Sequence, residues 1–375
     1  HSSHLKQTDL LIEKGIVKKI AKSIDAKAQE ISGKALWVTS GLCGLRTHLT
    51  DPGYEFKDSI YSLLETAAAG GFTSIVTTPD TKPKIDSKGS ISYLINASKD
   101  NLVSIMPTGK LTEATSNENL AELYDMHQSG AAVFSNGEEE VTNGLLKKAL
   151  LYVKPFNGKV FTTPLDFSLG KDGLVNESEN TIHTGLKVSP SLAEEISVKE
   201  QIEIARYCDA SIHLSGITSA GSVELIKQAK KEGVSITCDT TIFNLCFTDN
   251  EVLGFDENFK LKPMLRTELD RQALIAGVNS GTIDAISVNH CPQNPESKVV
   301  EFNYAAFGAL SLQFVLSWYL EHLQKDISPE IFIQKLTSGP KTVLQIKNSA
   351  IEEGSVADMC VFNTEEIWEF NESTN

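Results

Sequence analysis

The chain has 375 residues, enough for one large domain or a large domain with a small satellite. Hydrophobic residues make up 41% and charged residues 22%, the balance of a globular protein, and no apolar run reaches the length that spans a bilayer. A formal net charge of −15, from 34 basic and 49 acidic residues, argues against nucleic acid and anionic membranes as partners.

In chain order, TDLLIEKGIVKKIAK alternates and turns at Lys14-Gly15, which predicts a hairpin. From about residue 36 a rhythm sets in of apolar run, loop and amphipathic helix. The eight runs are ALWVTSGL, FTSIVTTP, LVSIMPTG, AAVFSNG, KVFTTPLD, ASIHLSGI, VSITCDTT and IDAISVNH. Helical periodicity lies between them. SVELIKQAKKEG ends in Lys230-Lys231 and Gly233, the cations and glycine of a helix C-terminus, while 191–208 and 264–278 read as outer helices. The stretch 168-SLGKDGLVNESEN-180 reads as a long loop over the barrel mouth. Strands alternating with helices imply parallel pairing through crossovers, and eight such units close into a (β/α)8 TIM-like barrel with its site at the strand C-terminal ends. ADMCVFN near the C-terminus is a further short strand. The expected division is therefore a small β-sandwich built from both termini (1–38 plus 349–375) around a barrel at 39–348.

The six cysteines, Cys43, Cys208, Cys238, Cys246, Cys291 and Cys360, show no C-x-x-C pair or framework spacing. That favours free thiols in a reducing cytoplasm. No signal peptide opens the sequence, but HSSHLKQTDLL enters a strand pattern at once and FNESTN ends as abruptly, so further residues are expected beyond either end. His1 and His4 are read as terminal residues without a role.

Five blocks now carry a resemblance: 48-HLTDPGYEFKDS-59, 67-AAAGGFTSIVTTPDTKP-83, 213-HLSGITSAGSVELI-226, 263-PMLRTELDRQALIAGVNSGTIDAISVNHCP-292 and 305-AAFGALSL-312. Together with the terminal sandwich and the eight-unit barrel they resemble the amidohydrolase superfamily, and within it the dihydroorotases that associate with aspartate transcarbamoylase. The resemblance implies opening or closing of the dihydroorotate ring by metal-assisted amide chemistry, in which a metal-bound water attacks and a strand-end aspartate moves the proton.

The residues depart from that pattern at the positions the resemblance marks. The first strand of the family ends D-x-H-x-H, and its period of two would point both histidines into the mouth; here it reads Gly44-Leu45-Arg46-Thr47-His48. Arginine stays protonated and offers no lone pair to a cation. The further ligand positions hold Asn136, Thr163 and Gly216, and the position of ligand and general base holds Asn289. Of the six, only His48 keeps a competent donor, whereas catalytic zinc takes three protein ligands. The substrate clamp is degraded too, with Thr50, Asp80, Lys262 and Gln293 at its positions.

Other residues receive plainer readings. His48 is a packed remnant, and His213 and His290 are structural hydrogen-bonders. Cys291 beside His290 is no nucleophile pair, because neighbours on a strand face opposite sides. Arg46 fills the volume vacated by metal and needs a buried partner, for which Asp80 and Asp166 are the candidates.

The expectation is a dihydroorotase homologue without catalysis and without a cofactor, binding an aspartate transcarbamoylase catalytic subunit directly or as a homodimer. Two alternatives stand beside it. One is a functioning zinc-dependent dihydroorotase or other cyclic amidohydrolase. The other is a small-anion binding protein using Arg46 and Lys262.

Overall fold

The computed structural model describes residues 6–348 and 350–371; His1 and His4 lie outside the described residues. Eight parallel strands form the barrel. They are Leu42–Thr47, Phe72–Thr77, a third interrupted at Pro107 (Ser104–Met106 and Thr108–Lys110), Val133–Ser135, Phe161–Thr162, Ile212–Leu214, Ile236–Thr241 and Ala285–Ser287. Each pairs with its neighbour, the fourth and fifth through the Phe134–Val160 bridge. The ring closes where Thr47 bridges His290 and Val288 N–H donates to Leu45 C=O.

Outward-facing strand residues such as Ile75, Ile105, Leu214 and Ile286 pack under the helices in the main core. Cys43, Leu45, Val76, Val133, Phe161 and Ala285 fill the barrel itself, above Val343 and Leu344. Helix Ala220–Lys231 starts where Ser219 accepts from Ser222 N–H, and Gly233 beyond its end takes φ +81°, a conformation that favours glycine. Ser191–Cys208 is helical over the whole expected span. The next outer helix is shorter than expected and runs Glu268–Ser280, because Thr267 and Asp270 form a reciprocal capping box that fixes its start after residues 264–267.

At the chain ends, Asp9–Glu13 and Ile16–Ala21 form the hairpin, with Lys14 at φ +52° and Gly15 at +74° supplying its turn. The apolar run ALWVTSGL, read as one barrel strand, is two. Leu36–Ser40 pairs antiparallel with Met359–Asn363, and the chain enters the barrel only at Leu42. Gly41 makes the break, since a Cβ there would collide with the Thr73 and Asp358 side chains. The two terminal pairs are joined by the Ile16–Val356 bridge and by Gly354 N–H donating to Val17 C=O.

The segment 168–180, expected as a long loop, carries short elements of its own. Phe167–Gly170 is a helical turn capped by Asp166, and Val175–Asn176 pairs in parallel with Val188–Ser189. Buried Arg266 ties this insertion down, with Nη1 donating to Asn176 Oδ1 (2.7 Å) and Ser189 C=O (2.9 Å). Among the described residues no helix is long and apolar enough to cross a membrane.

Candidate functional site

The site is organised by Arg46, at the end of the first barrel strand. Strict alternation would send it outward, because Cys43 and Leu45 point into the barrel and Gly44 lies against Phe72 and Ile75 on the helix side. Instead Arg46 takes φ +57°, and the register with the second strand slips between Gly44 and Thr47. The left-handed residue swings its side chain back over the mouth, so Leu45 and Arg46 line the same void, of about 30 Å³. The period-of-two reading placed Arg46 correctly for the wrong reason.

Four strand ends receive the guanidinium. Nε donates to Asn289 Oδ1 (3.2 Å), Nη1 to Thr163 Oγ1 (2.9 Å) and more weakly to Ser215 Oγ (3.5 Å), and Nη2 to Glu138 Oε1 (2.5 Å). Its carboxylate partner is therefore Glu138, not Asp80 or Asp166, the latter capping a helical turn by accepting from Ser168 and Leu169 N–H. Burial pushes Glu138 up, but Arg46, with His48 and Lys262, outweighs that and holds it below the usual carboxylate range. Sequence reading missed Glu138 because it stands on a loop with no periodicity. The only signal was Gly137, whose φ of +61° turns the chain back beside the barrel.

The remaining marked positions are drawn elsewhere. Gly216, at φ +75°, stands where a Cβ would collide with Pro263 Cγ (2.7 Å) and touch Arg46 Cζ at ordinary contact distance (3.5 Å). Asn136 accepts from Thr112 N–H (3.1 Å) and donates to Thr112 Oγ1 (3.0 Å). Asn289 Nδ2 donates to Lys262 C=O (3.0 Å), which fixes its amide with the oxygen toward Arg46. Thr50 donates to Asp58 C=O (2.6 Å), Gln293 Nε2 to Phe307 C=O (2.8 Å), and Lys262 Nζ sits 4.6 Å from the Phe307 ring. Thr50 and Lys262 are thus engaged by the protein itself, whereas Gln293 Oε1 and Asp80 Oδ2 are buried without a hydrogen-bond partner.

His48 is packed against Thr78 Oγ1 (3.4 Å) and lies 3.9 Å from Asp80. Burial and then the Arg46 charge lower it to about 4, so it is neutral at physiological pH. His213 Nε2 and Ser215 Oγ donate to the fully buried Asp239 (2.9 and 2.7 Å), which also takes Gly216 N–H and Ser287 Oγ. That carboxylate was not picked out in the sequence, although it fixes the strand ends flanking Arg46. His290 Nδ1 accepts from Ser311 N–H (3.0 Å), while Cys291 Sγ turns to Phe307 C=O (3.8 Å), so the two face different partners.

Zinc, which the resemblance implies, does not fit these residues. Among the described residues no group of three or more His, Cys, Asp or Glu is placed to hold a metal, and a guanidinium occupies the convergence point. A cavity of about 370 Å³ lies to one side, between the fourth and fifth strand ends and the helices Asn143–Val153 and Ser191–Cys208. Its wall includes Asn136, Thr163, Glu140 and Glu200 but no lysine or arginine, and neither Arg46 nor Lys262, the residues of the anion-binding alternative, lines it.

The Amidohydrolase family profile matches residues 36–375. The chain belongs to the amidohydrolase family. This amidohydrolase is 35% identical over 369 residues to a dihydroorotase of Ruminiclostridium cellulolyticum, covering 97% of this chain and 86% of that protein. It is 34% identical over 365 residues to a dihydroorotase of Geobacter metallireducens, covering 96% and 86%. Among solved structures it superposes on the L-hydantoinase of Arthrobacter aurescens with a TM-score of 0.78 at 19% identity, over 93% of this chain and 80% of that one. The dihydropyrimidinase of Brevibacillus agri gives 0.77 at 18%, over 94% and 80%. At such identity these two speak for the fold alone.

Asp80 carries a pH signature of this amidohydrolase. Burial raises it to about 6, with Lys84 opposing and Glu138 adding to the shift. A carboxylate raised above its unfolded value contributes stability that is present below about pH 4 and lost as pH rises through 6. Asp80→Asn is therefore expected to stabilise the fold by about 1–2 kcal/mol at pH 8, discounted for partial exposure, and to change little at pH 4. Urea denaturation at the two pH values checks this; equal effects at both would contradict it.

Proposed function

We propose that this amidohydrolase is a dihydroorotase homologue of pyrimidine biosynthesis that has lost catalysis and serves as an assembly partner of an aspartate transcarbamoylase catalytic subunit in the cytoplasm. The observation that carries the first part is the Arg46 guanidinium bound to Glu138, Thr163 and Asn289 where the family would converge on metal. A positive charge there repels a divalent cation, and Asn289 cannot hold or shuttle a proton near neutral pH. The partner part rests on the resemblance and on the state of the scaffold, whose capped helices and filled barrel contrast with the altered strand ends. Six cysteines with no disulfide among them support a reducing compartment.

Protein purified without chelator from zinc-supplemented cells is expected to hold well under one zinc per chain and to leave dihydroorotate formation and hydrolysis at background. Near-stoichiometric zinc that is lost in His48→Ala, or turnover proportional to protein concentration, would return the functioning cyclic amidohydrolase to first place.

A further inference from the structure

Beyond the barrel mouth, the loops after the seventh and eighth strands carry an apolar platform that the pocket does not use. Val299 and Tyr304, on the second of these loops, are 77% and 80% exposed; Val300 beside them, and Leu253 and Phe255 on the first loop, are exposed too. Scattered exposed apolar residues are ordinary; a cluster on two segments locked together is not. Phe255 meets the buried Phe302 edge-on at 6.2 Å. Two lysines pin the segments with backbone carbonyls in place of carboxylates. Lys298 Nζ donates to the carbonyls of Glu257, Ala306 (3.1 Å) and Gly308 (2.9 Å), and buried Lys260 to those of Phe302 (2.7 Å) and Asn303 (3.0 Å). The platform is preorganised, so little ordering entropy opposes its burial by a partner.

Backbone strain marks the same place. Phe255 ends the turn Asp249–Gly254 at φ +55°, a conformation that a bulky aromatic residue seldom adopts, and there its ring is half exposed. Glycine would serve the turn better. The aromatic residue is held on the surface against local preference.

The rim decides the occupant. Segments 249–259 and 294–304 carry six carboxylates and one lysine, and that lysine, Lys298, is enclosed by carbonyls. Glu251, Asp256, Glu296 and Glu301 are exposed. A second copy docking through the same patch would set this acidic rim against itself, because a two-fold interface is self-complementary. We propose that the platform of Leu253, Phe255, Val299, Val300 and Tyr304 is the docking surface for a protein partner presenting an apolar patch ringed by lysine and arginine. This rests on the assembly role proposed above and assigns it a surface.

The test uses the full chain with an aspartate transcarbamoylase catalytic subunit from the same cells as probe, measured by size-exclusion chromatography with light scattering and by titration at two salt concentrations. The wild type is expected to bind and to weaken with salt. Val299→Glu with Tyr304→Glu should weaken binding at least tenfold, whereas Tyr61→Glu, an exposed site on the helix Ile60–Ala69, should not. Phe255→Gly should weaken binding while its melting temperature stays within about 2 °C of wild type, a split that a packing role would not produce. If the wild type binds and all variants bind equally, the surface is wrong and the assembly role stands. If the wild type does not bind, both are wrong. If the wild type self-associates and the double variant does not, the occupant is a second copy and the basic-partner assignment fails.

Discussion

Replacing Arg46 with alanine is expected to lower stability by about 2–3 kcal/mol, read as a fall in melting temperature of roughly 3–5 °C. Breaking a buried ion pair leaves the other charge desolvated and alone, which costs about 3–5 kcal/mol when both groups are deep. Arg46 is buried, but Glu138 is about one-third exposed, so water screens part of that penalty and the lower range applies. Thr163 and Asn289 lose their donor in the same step. Two companions separate the causes. Arg46→Gly loses the same contacts but relieves the +57° backbone, and should be less damaging than alanine by about 1 kcal/mol. Glu138→Gln added to Arg46→Ala should recover part of the loss, because the orphaned charge is gone; additive effects would mean that the pair is not coupled. An increase in stability on Arg46→Ala, with zinc uptake, would show that the arginine blocks a site instead of holding the mouth together.

Features written in neighbouring residues are legible in the sequence, and those made by distant contacts are not. The barrel was legible because each strand is a short apolar run, each helix has a 3.6-residue stripe, and their alternation has few solutions. Helix 220–231 could be ended from Lys230, Lys231 and Gly233 alone, since caps are written in neighbouring residues. Splitting ALWVTSGL needed the Asp358 and Thr73 side chains around Gly41, contacts far away in sequence. The two-residue strands at 175–176 and 188–189 are too short for any periodicity and are held by Arg266 from a distance. In the site, the altered positions could be placed one by one because the resemblance runs through the strand ends. What those residues do now could not. The left-handed turn at Arg46 and the turn that brings Glu138 to it are backbone choices made by the whole fold. Asp239 looked like one more strand residue until His213, Ser215, Gly216 and Ser287 were seen to converge on it.

Restoring the carboxylate at the general-base position, Asn289→Asp, is expected to leave dihydroorotate turnover at background and to raise the melting temperature slightly. The barrier sets the scale. A metal-activated water has a pKa near 7 against about 15.7 for free water, some 9 units at roughly 1.4 kcal/mol each, or about 12 kcal/mol. A general base contributes about 10²–10⁴-fold, at most about half of that, and only when something has prepared the water for it. Here the new carboxylate would not even be free. Asn289 Oδ1 already stands 3.2 Å from Arg46 Nε, so an aspartate in its place would accept a charge-assisted hydrogen bond and compete with Glu138 for the guanidinium. That lowers its pKa and weakens it as a base, while adding an ion pair to the barrel mouth. Lys262 would gain a nearby opposite charge but lose, at its backbone carbonyl, the hydrogen bond from Asn289 Nδ2, so the stability gain should stay below about 1 kcal/mol. Adding Arg46→His removes the competing cation, yet Thr163 and Gly216 still present no ligand, and turnover should stay at background in the double variant as well. Measured turnover in Asn289→Asp alone, with a pH profile titrating near the new carboxylate, would mean that these residues prepare a nucleophile without the zinc set, and the non-catalytic reading would fall.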